Sequence, residues 1–261
     1  MLFLDLTATS LEENLALDEA FLNAAENGRL EDGLLRVWEW ATPAVVVGRA
    51  SRLAQEVQLD RCQKRGVPVV RRCSGGAAVV IGPGCLLYTL ILPLSPDIPR
   101  HMERIHASVL NPIAAALAAR APGVVRAGIS DLARCQPPRQ STATSDCNPR
   151  DPESPVPSAP RKFSGNSLRC RRQWLLYHGT ILYRFDLSLV EELLSMPPRQ
   201  PDYRGDRRHG DFLCNLPLDR DTLCLALRTA WGAWEPAGDI PQQELQDLLA
   251  RYRDPAWNLD H

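Results

Sequence analysis

The chain has 261 residues, 44% hydrophobic and 23% charged, long enough to bury a sizeable core as one large domain or two small ones. A formal net charge of -1 excludes the large basic surplus of a typical nucleic-acid binder, and no apolar run of about 18 residues offers a membrane span. Met1-Leu-Phe-Leu-Asp5 lacks the charged leader of a secretion signal, and the eight cysteines form no Cys-x-x-Cys pair, so a cytoplasmic protein with reduced thiols is expected.

In chain order, Leu2 to Leu6 reads as a strand. Ser10 with Glu13 three residues on has the form of a capping box, opening a helix that Asn27-Gly28 stops. Leu34 to Trp40 and Ala44 to Val47 read as strands joined by a turn. Gly48-Arg49 after them is either a plain loop or a backbone N–H and a cation offered to a ligand. One helix is expected over 52–65, ended by Gly66. Val67 to Val80 then reads as strand, diglycine turn, strand, built around Arg71-Arg72-Cys73-Ser74-Gly75-Gly76-Ala77-Ala78. Glycine lets a ligand approach the backbone, and peptide N–H groups beside guanidinium groups suit an anionic or carbonyl-bearing ligand. A basic hairpin whose glycines serve only the turn reads the same way. The run is neither a P-loop nor a dinucleotide fingerprint.

Gly82-Pro-Gly84 marks another turn, Leu86 to Leu94 an inner strand, and His101 to Arg120 a helix that Pro112 kinks or divides. Val124 to Leu132 reads as one strand. From Cys135 to Pro160, seven prolines and almost no apolar side chains read as a flexible surface excursion interrupting the domain. Beyond it stand Arg161-Lys162-Phe163-Ser164-Gly165-Asn166 and a strand–turn–strand from Leu175 to Phe185, with His178-Gly179-Thr180 at the turn. Leu187 to Leu194, Asp219 to Trp231 and Pro241 to Tyr252 read as helices. Helices separated by strands and hairpins give an α/β or α+β fold with a mixed sheet.

Lys162 is singled out because the only other lysine is Lys64. Beside Ser-Gly-Asn it suits a point cation for a carboxylate, acyl carbonyl or phosphate, and equally an ordinary surface charge. His178 reads as a structural histidine or a polar contact, and Asp131 and Asp186 as caps or as holders of a cation. His101 and His106 lack the spacing of a metal pair.

Taken together, Arg71 to Ala78, Arg161 to Asn166 and His178-Gly179-Thr180-Ile181-Leu182 resemble the lipoate-protein ligase A family, within the wider group of biotin and lipoate ligases and octanoyltransferases. Asn14-Leu-Ala-Leu-Asp18, Gly128-Ile-Ser-Asp131 and Trp257-Asn258 are further echoes. The resemblance spans nearly all of the chain outside 135–160. It implies a single biotin/lipoate ligase-like catalytic domain over 1–261, a mixed β-sheet flanked by helices. It implies an acyl and adenylate pocket lined by Arg72, Ser74, Gly75, Gly76 and Ala77 and bordered by His178, Gly179 and Thr180, with Lys162 as the catalytic cation. Arg49, Ser164 and Gly165 complete the expected binding set, and no protein metal ligand is expected.

The implied activity is activation of lipoate or octanoate with ATP and Mg²⁺, then transfer to a lysine of a lipoyl domain, in a 2-oxoacid dehydrogenase E2 subunit or the glycine cleavage H protein. With the chain ending soon after Trp257-Asn258, a separate accessory subunit enters the expectation. An octanoyl or lipoyl transferase working from acyl carrier protein without ATP is the first alternative. Ser130, Cys135 and Cys147 are the groups nearest its nucleophile position. A non-catalytic lipoyl- or adenylate-binding protein is the second, favoured by Ala77 in place of a third glycine.

Overall fold

Residues 1–94, 101–135 and 159–259 are described by a computed structural model, and the expected excursion over 135–160 lies outside them apart from its ends. Strand β1 (Leu2–Asp5) leads into helix α1 (Leu11–Glu26), where the Ser10 hydroxyl accepts the Glu13 N–H at 3.1 Å, the N-cap half of the expected capping box, while the Glu13 carboxylate accepts the Thr9 hydroxyl at 2.5 Å. Then come β2 (Leu34–Trp38), β3 (Ala44–Val47), α2 (Leu53–Glu56), α3 (Leu59–Arg65), β4 (Val69–Arg71), β5 (Val79–Ile81) and β6 (Cys85–Pro93). Helix α4 (Met102–Ala118), β7 (Val124–Ala127), β8 (Asp131–Arg134), β9 (Arg161–Cys170), β10 (Trp174–Leu182) and α5 (Ser188–Leu193) follow. A 3₁₀ turn (Asp202–Arg204), α6 (His209–Phe212), α7 (Arg220–Trp231), β11 (Glu235–Pro236), α8 (Gln242–Arg253) and α9 (Pro255–Leu259) complete the chain.

The fold is mixed α/β. An eight-stranded sheet runs β11-β1-β2-β6-β10-β9-β8-β7, parallel across β11, β1 and β2 and antiparallel from β2 onward. Its central strands are buried on both faces, which is why their apolar runs barely alternate. Leu34, Trp38, Leu87 and Ile91 pack with α1, α8 and a small sheet, while Leu35, Val37, Leu86 and Leu90 pack with α4 and α7. Among the described residues no helix is long and apolar enough to cross a membrane.

Four local expectations change. The diglycine run is not a hairpin: β4 and β5 flank β3 in the small sheet, β4 parallel and β5 antiparallel, so residues 72–78 cross the end of β3. The 52–65 helix is split because Val57 is extended, φ -124° and ψ 136°, and bridges Leu194. Val124 to Leu132 is broken into β7 and β8 by a turn at Gly128. Finally, His178 and Gly179 lie within β10, paired with Thr89 and Tyr88 of β6, not at a turn. Gly179 marks a close approach instead, since a Cβ there would sit 1.8 Å from Asn166 Oδ1.

Arg71 has no exposed surface and acts as an internal strut. Its backbone N–H donates to Asn258 Oδ1 at 2.8 Å, and its guanidinium to the carbonyls of Gly48 (2.7 Å), Ser51 (3.1 Å) and Trp257 (2.9 Å). The end of the chain thus braces the loop after β3. Asn258→Ala is expected to destabilise the protein by about 1–3 kcal/mol, because a buried N–H loses its acceptor, and urea denaturation would register the loss.

Candidate active site

A cavity of about 740 Å³ lies between the large sheet, the small sheet and α1. Leu15, Val46, Val79, Ile81 and Leu87 give it an apolar wall, while Asp131, Lys162, Asn166, Arg199 and Tyr203 stand where the wall is polar. Apolar lining with a few convergent polar groups is the usual character of a small-molecule site.

One wall is the 72–78 loop. Gly76 takes a φ of 86°, and Gly48 is required beneath it, because a Cβ at Gly48 would sit 1.9 Å from the Gly76 carbonyl oxygen. Arg72 holds the loop from inside, donating to the carbonyls of Gly75 (2.6 Å), Ala77 (3.0 Å) and Val46 (3.2 Å) and to Ser74 Oγ (3.1 Å). Burial pulls its guanidinium down to about 10, which leaves it charged at neutral pH. Its donors are thus spent on the carbonyls that shape the loop, and the Glu56 carboxylate lies near enough to favour its charged form.

Opposite the loop, His178 Nε2 lies 2.6 Å from Ser74 Oγ and Nδ1 lies 3.4 Å from Asp18 Oδ2. Asp18 is buried on α1, paired through Oδ1 with Arg36 at 2.6 Å, and its Oδ2 accepts the Thr89 hydroxyl at 2.8 Å. Burial opposes ionisation of Asp18, but Arg36, His178 and Thr89 outweigh it and hold the carboxyl below its ordinary value. An ionised carboxylate only accepts, so Nδ1 carries a proton toward Asp18.

Lys162 reaches the cavity through a β-bulge. Leu132 pairs with Ser164 and Ala133 with Lys162, so Phe163 has no partner and the side-chain alternation of β9 slips by one. Phe163 enters the core beside α4, and Lys162 falls on the face of Gly165. Its Nζ lies 2.8 Å from Asp131 Oδ1, and a Cβ on Gly165 would stand 2.8 Å from that amine. Lys162, Gly165 and Thr180 also line a smaller annex of about 120 Å³.

Of the residues expected from sequence, Arg72, Gly76, Ala77, Lys162, Gly165, His178, Gly179 and Thr180 meet on the main cavity. Ser74 and Gly75 do not line it: Ser74 is buried and spent on His178 and Arg72, and Gly75 is exposed, its carbonyl accepting from Ser167 at 2.8 Å. Ser164 lines the annex. Arg49 is exposed and lines neither cavity, although its backbone N–H donates to the Ser74 carbonyl at 2.7 Å. Asp18 and Tyr203 join the site without having been chosen for it, and the motif ending in Asp18 was the only signal for that residue. Asp131, read from sequence as a cap or a holder of a cation, holds the Lys162 ammonium.

Ser130 lines the cavity, but no cysteine among the described residues does. Cys73 is buried, and burial together with the nearby Glu19 carboxylate pushes its thiol up to about 11. Among the described residues no three His, Cys, Asp or Glu converge, and both Asp131 oxygens are engaged, by Lys162 and by Tyr203; a Mg²⁺ arriving with a nucleotide would be held chiefly by phosphate oxygens and water.

Comparison with known proteins decides the family. Residues 10–216 match the lipoyl protein ligase A/B catalytic domain. The chain belongs to that family. Its fold is shared with a bi-partite lipoate protein ligase of Thermoplasma acidophilum, TM-score 0.76 at 17% identity, covering 99% of this chain and 95% of that one. It is also shared with a lipoate-protein ligase A bound with ATP, TM-score 0.71 at 20% identity over 99% and 98% of the two chains. In sequence, the octanoyltransferase LipM of Symbiobacterium thermophilum is 28% identical, over 95% of this chain and 93% of that protein. The LipM of an Exiguobacterium is 40% identical over a shorter stretch, 36% of this chain and 34% of that protein. As a member of the lipoyl protein ligase A/B family, the chain is an enzyme of protein lipoylation, within the ligases and acyltransferases of the biotin–lipoate superfamily.

Proposed function

We propose that this enzyme moves an octanoyl or lipoyl group from an activated donor to the side-chain amine of a lysine on a lipoyl domain. The supporting observation is Lys162, a cation held at the polar wall of a cavity whose other side is the apolar wall of Leu15, Val46, Val79, Ile81 and Leu87. An acyl tail lies along Leu15, Val46 and Leu87, and its carbonyl oxygen meets Lys162. The acceptor amine adds to the carbonyl carbon, and the π electrons move to oxygen, where the Lys162 ammonium stabilises the new negative charge. Collapse of this adduct re-forms the carbonyl, expels the donor's leaving group and releases the proton of the attacking amine.

The favoured donor is a thioester on acyl carrier protein. The octanoyltransferase relatives that align over more than nine tenths of both chains support it. The second reading is free acid activated by ATP. It is supported by the lipoate-protein ligase A bound with ATP that shares this fold. The Thermoplasma ligase described together with its E2 lipoyl domain supports a lipoyl domain as acceptor. Weighing a lipoyl domain after incubation with the enzyme separates the readings. A mass gain with octanoyl-acyl carrier protein alone supports the thioester donor, and a gain only with octanoate, ATP and Mg²⁺ supports the ligase. No gain under either condition leaves a binding protein and overturns the proposal.

A further inference from the structure

We infer that Tyr203 is a positioning residue for Lys162, acting through Asp131. The Tyr203 hydroxyl donates to Asp131 Oδ2 at 2.8 Å, while Asp131 Oδ1 holds Lys162 Nζ at 2.8 Å. The carboxylate is buried and has one oxygen fixed from each side, so it cannot rotate away from the lysine without breaking a hydrogen bond. Burial and the adjacent Asp131 charge push the Tyr203 hydroxyl well above its ordinary range, so it stays a donor.

The tyrosine is itself fixed. Its ring packs at 5.2 Å from that of Phe212, and its edge faces Gly128 so closely that a Cβ there would stand 3.4 Å from Cε1. Arg207 donates to its carbonyl at 2.7 Å and to that of Pro160 at 3.0 Å. Residues 199–203 line the cavity, so this clamp joins the wall that a ligand touches to the cation that would act on it. In the activity arm the inference rests on the acyl-transfer reading above.

A chain with two lysines permits a test that does not depend on turnover. Folded protein is treated with limiting acetic anhydride, and labelling of Lys162 is read by peptide mass relative to exposed Lys64, with circular dichroism of each variant to check that it remains folded. Tyr203→Phe is expected to raise relative labelling of Lys162 about threefold to tenfold, the factor one lost hydrogen bond allows. Asp131→Asn is expected to raise it as well, and Tyr203→Phe is expected to add nothing in that background. In the transfer assay Tyr203→Phe lowers kcat with the KM for the acyl donor unchanged. Three results overturn the inference: unchanged labelling in Tyr203→Phe, the same increment in both backgrounds, or reduced labelling, which would make Tyr203 a competitor of Lys162 for the carboxylate. If the wild type acylates no lipoyl domain but the labelling pattern holds, the functional reading fails and this inference stands.

Discussion

Replacing Lys162 with alanine is expected to slow acyl transfer on the order of 100-fold or more, about 3 kcal/mol of transition-state stabilisation, with a smaller loss of stability than Asp18→Ala causes. The asymmetry follows from where the side chain sits. Lys162 is one quarter exposed, so its pair with Asp131 is partly screened, and Asp131 keeps the Tyr203 hydroxyl when the amine is gone; the folded state loses less than when the fully buried Arg36 loses Asp18. The transition state loses the cation aimed at its developing charge. Lys162→Arg keeps the charge but places a planar fork where Gly165 leaves room for one amine, so it is expected to recover only part of the rate. Steady-state kcat at saturating donor, with thermal melts of each variant, checks both statements.

The largest effect on stability is expected from Asp18→Ala, at about 3–5 kcal/mol. Arg36 has no exposed surface, and its carboxylate partner is the one lost. Its remaining bonds, to the Leu6 and Asn14 carbonyls and to Asn14 Oδ1, leave the charge itself uncompensated. His178 and Thr89 lose a partner in the same change. The pH dependence has a definite sign. Asp18 ionises below the ordinary carboxyl value of 3.8 when folded, so near that pH the unfolded chain binds more protons than the native one. Its contribution is complete above 3.8 and is lost as the pH falls through the depressed folded value. Urea denaturation of wild type and variant is therefore expected to show a gap that stays constant from about pH 7 to about pH 5 and closes only in stronger acid.

Local chemistry was legible in the sequence, and pairing across long separations was not. The Ser10 cap, the Gly66 helix end and the stripes of α4, α7 and α8 are written within a few residues of one another, and each appears in the structure. The partnership of β4 and β5 through β3 depends on a strand more than twenty residues earlier, so an adjacent hairpin was the simplest reading of the glycines. His178-Gly179 was read as a turn because glycine in a strand can mean either a turn or a close approach, and only the position of Asn166 decides between them.

The site shows the same division. Lys162 stood out by rarity, yet its orientation comes from a bulge at Phe163 that no alternation pattern encodes. Arg72 and Ser74 were read as ligand contacts, and the structure turns most of their hydrogen bonds inward, onto carbonyls and onto His178. Tyr203 lay in a polar, basic stretch with nothing local to connect it with Asp131, about seventy positions earlier, and only the folded wall of the cavity brings them together.

The most direct measurement is the position of a bound acyl chain, from a structure with a non-transferable octanoyl amide. The account predicts its carbonyl oxygen within about 3 Å of Lys162 Nζ and its tail among Leu15, Val46 and Leu87. A carbonyl held away from Lys162, or a tail lying outside this cavity, would contradict it.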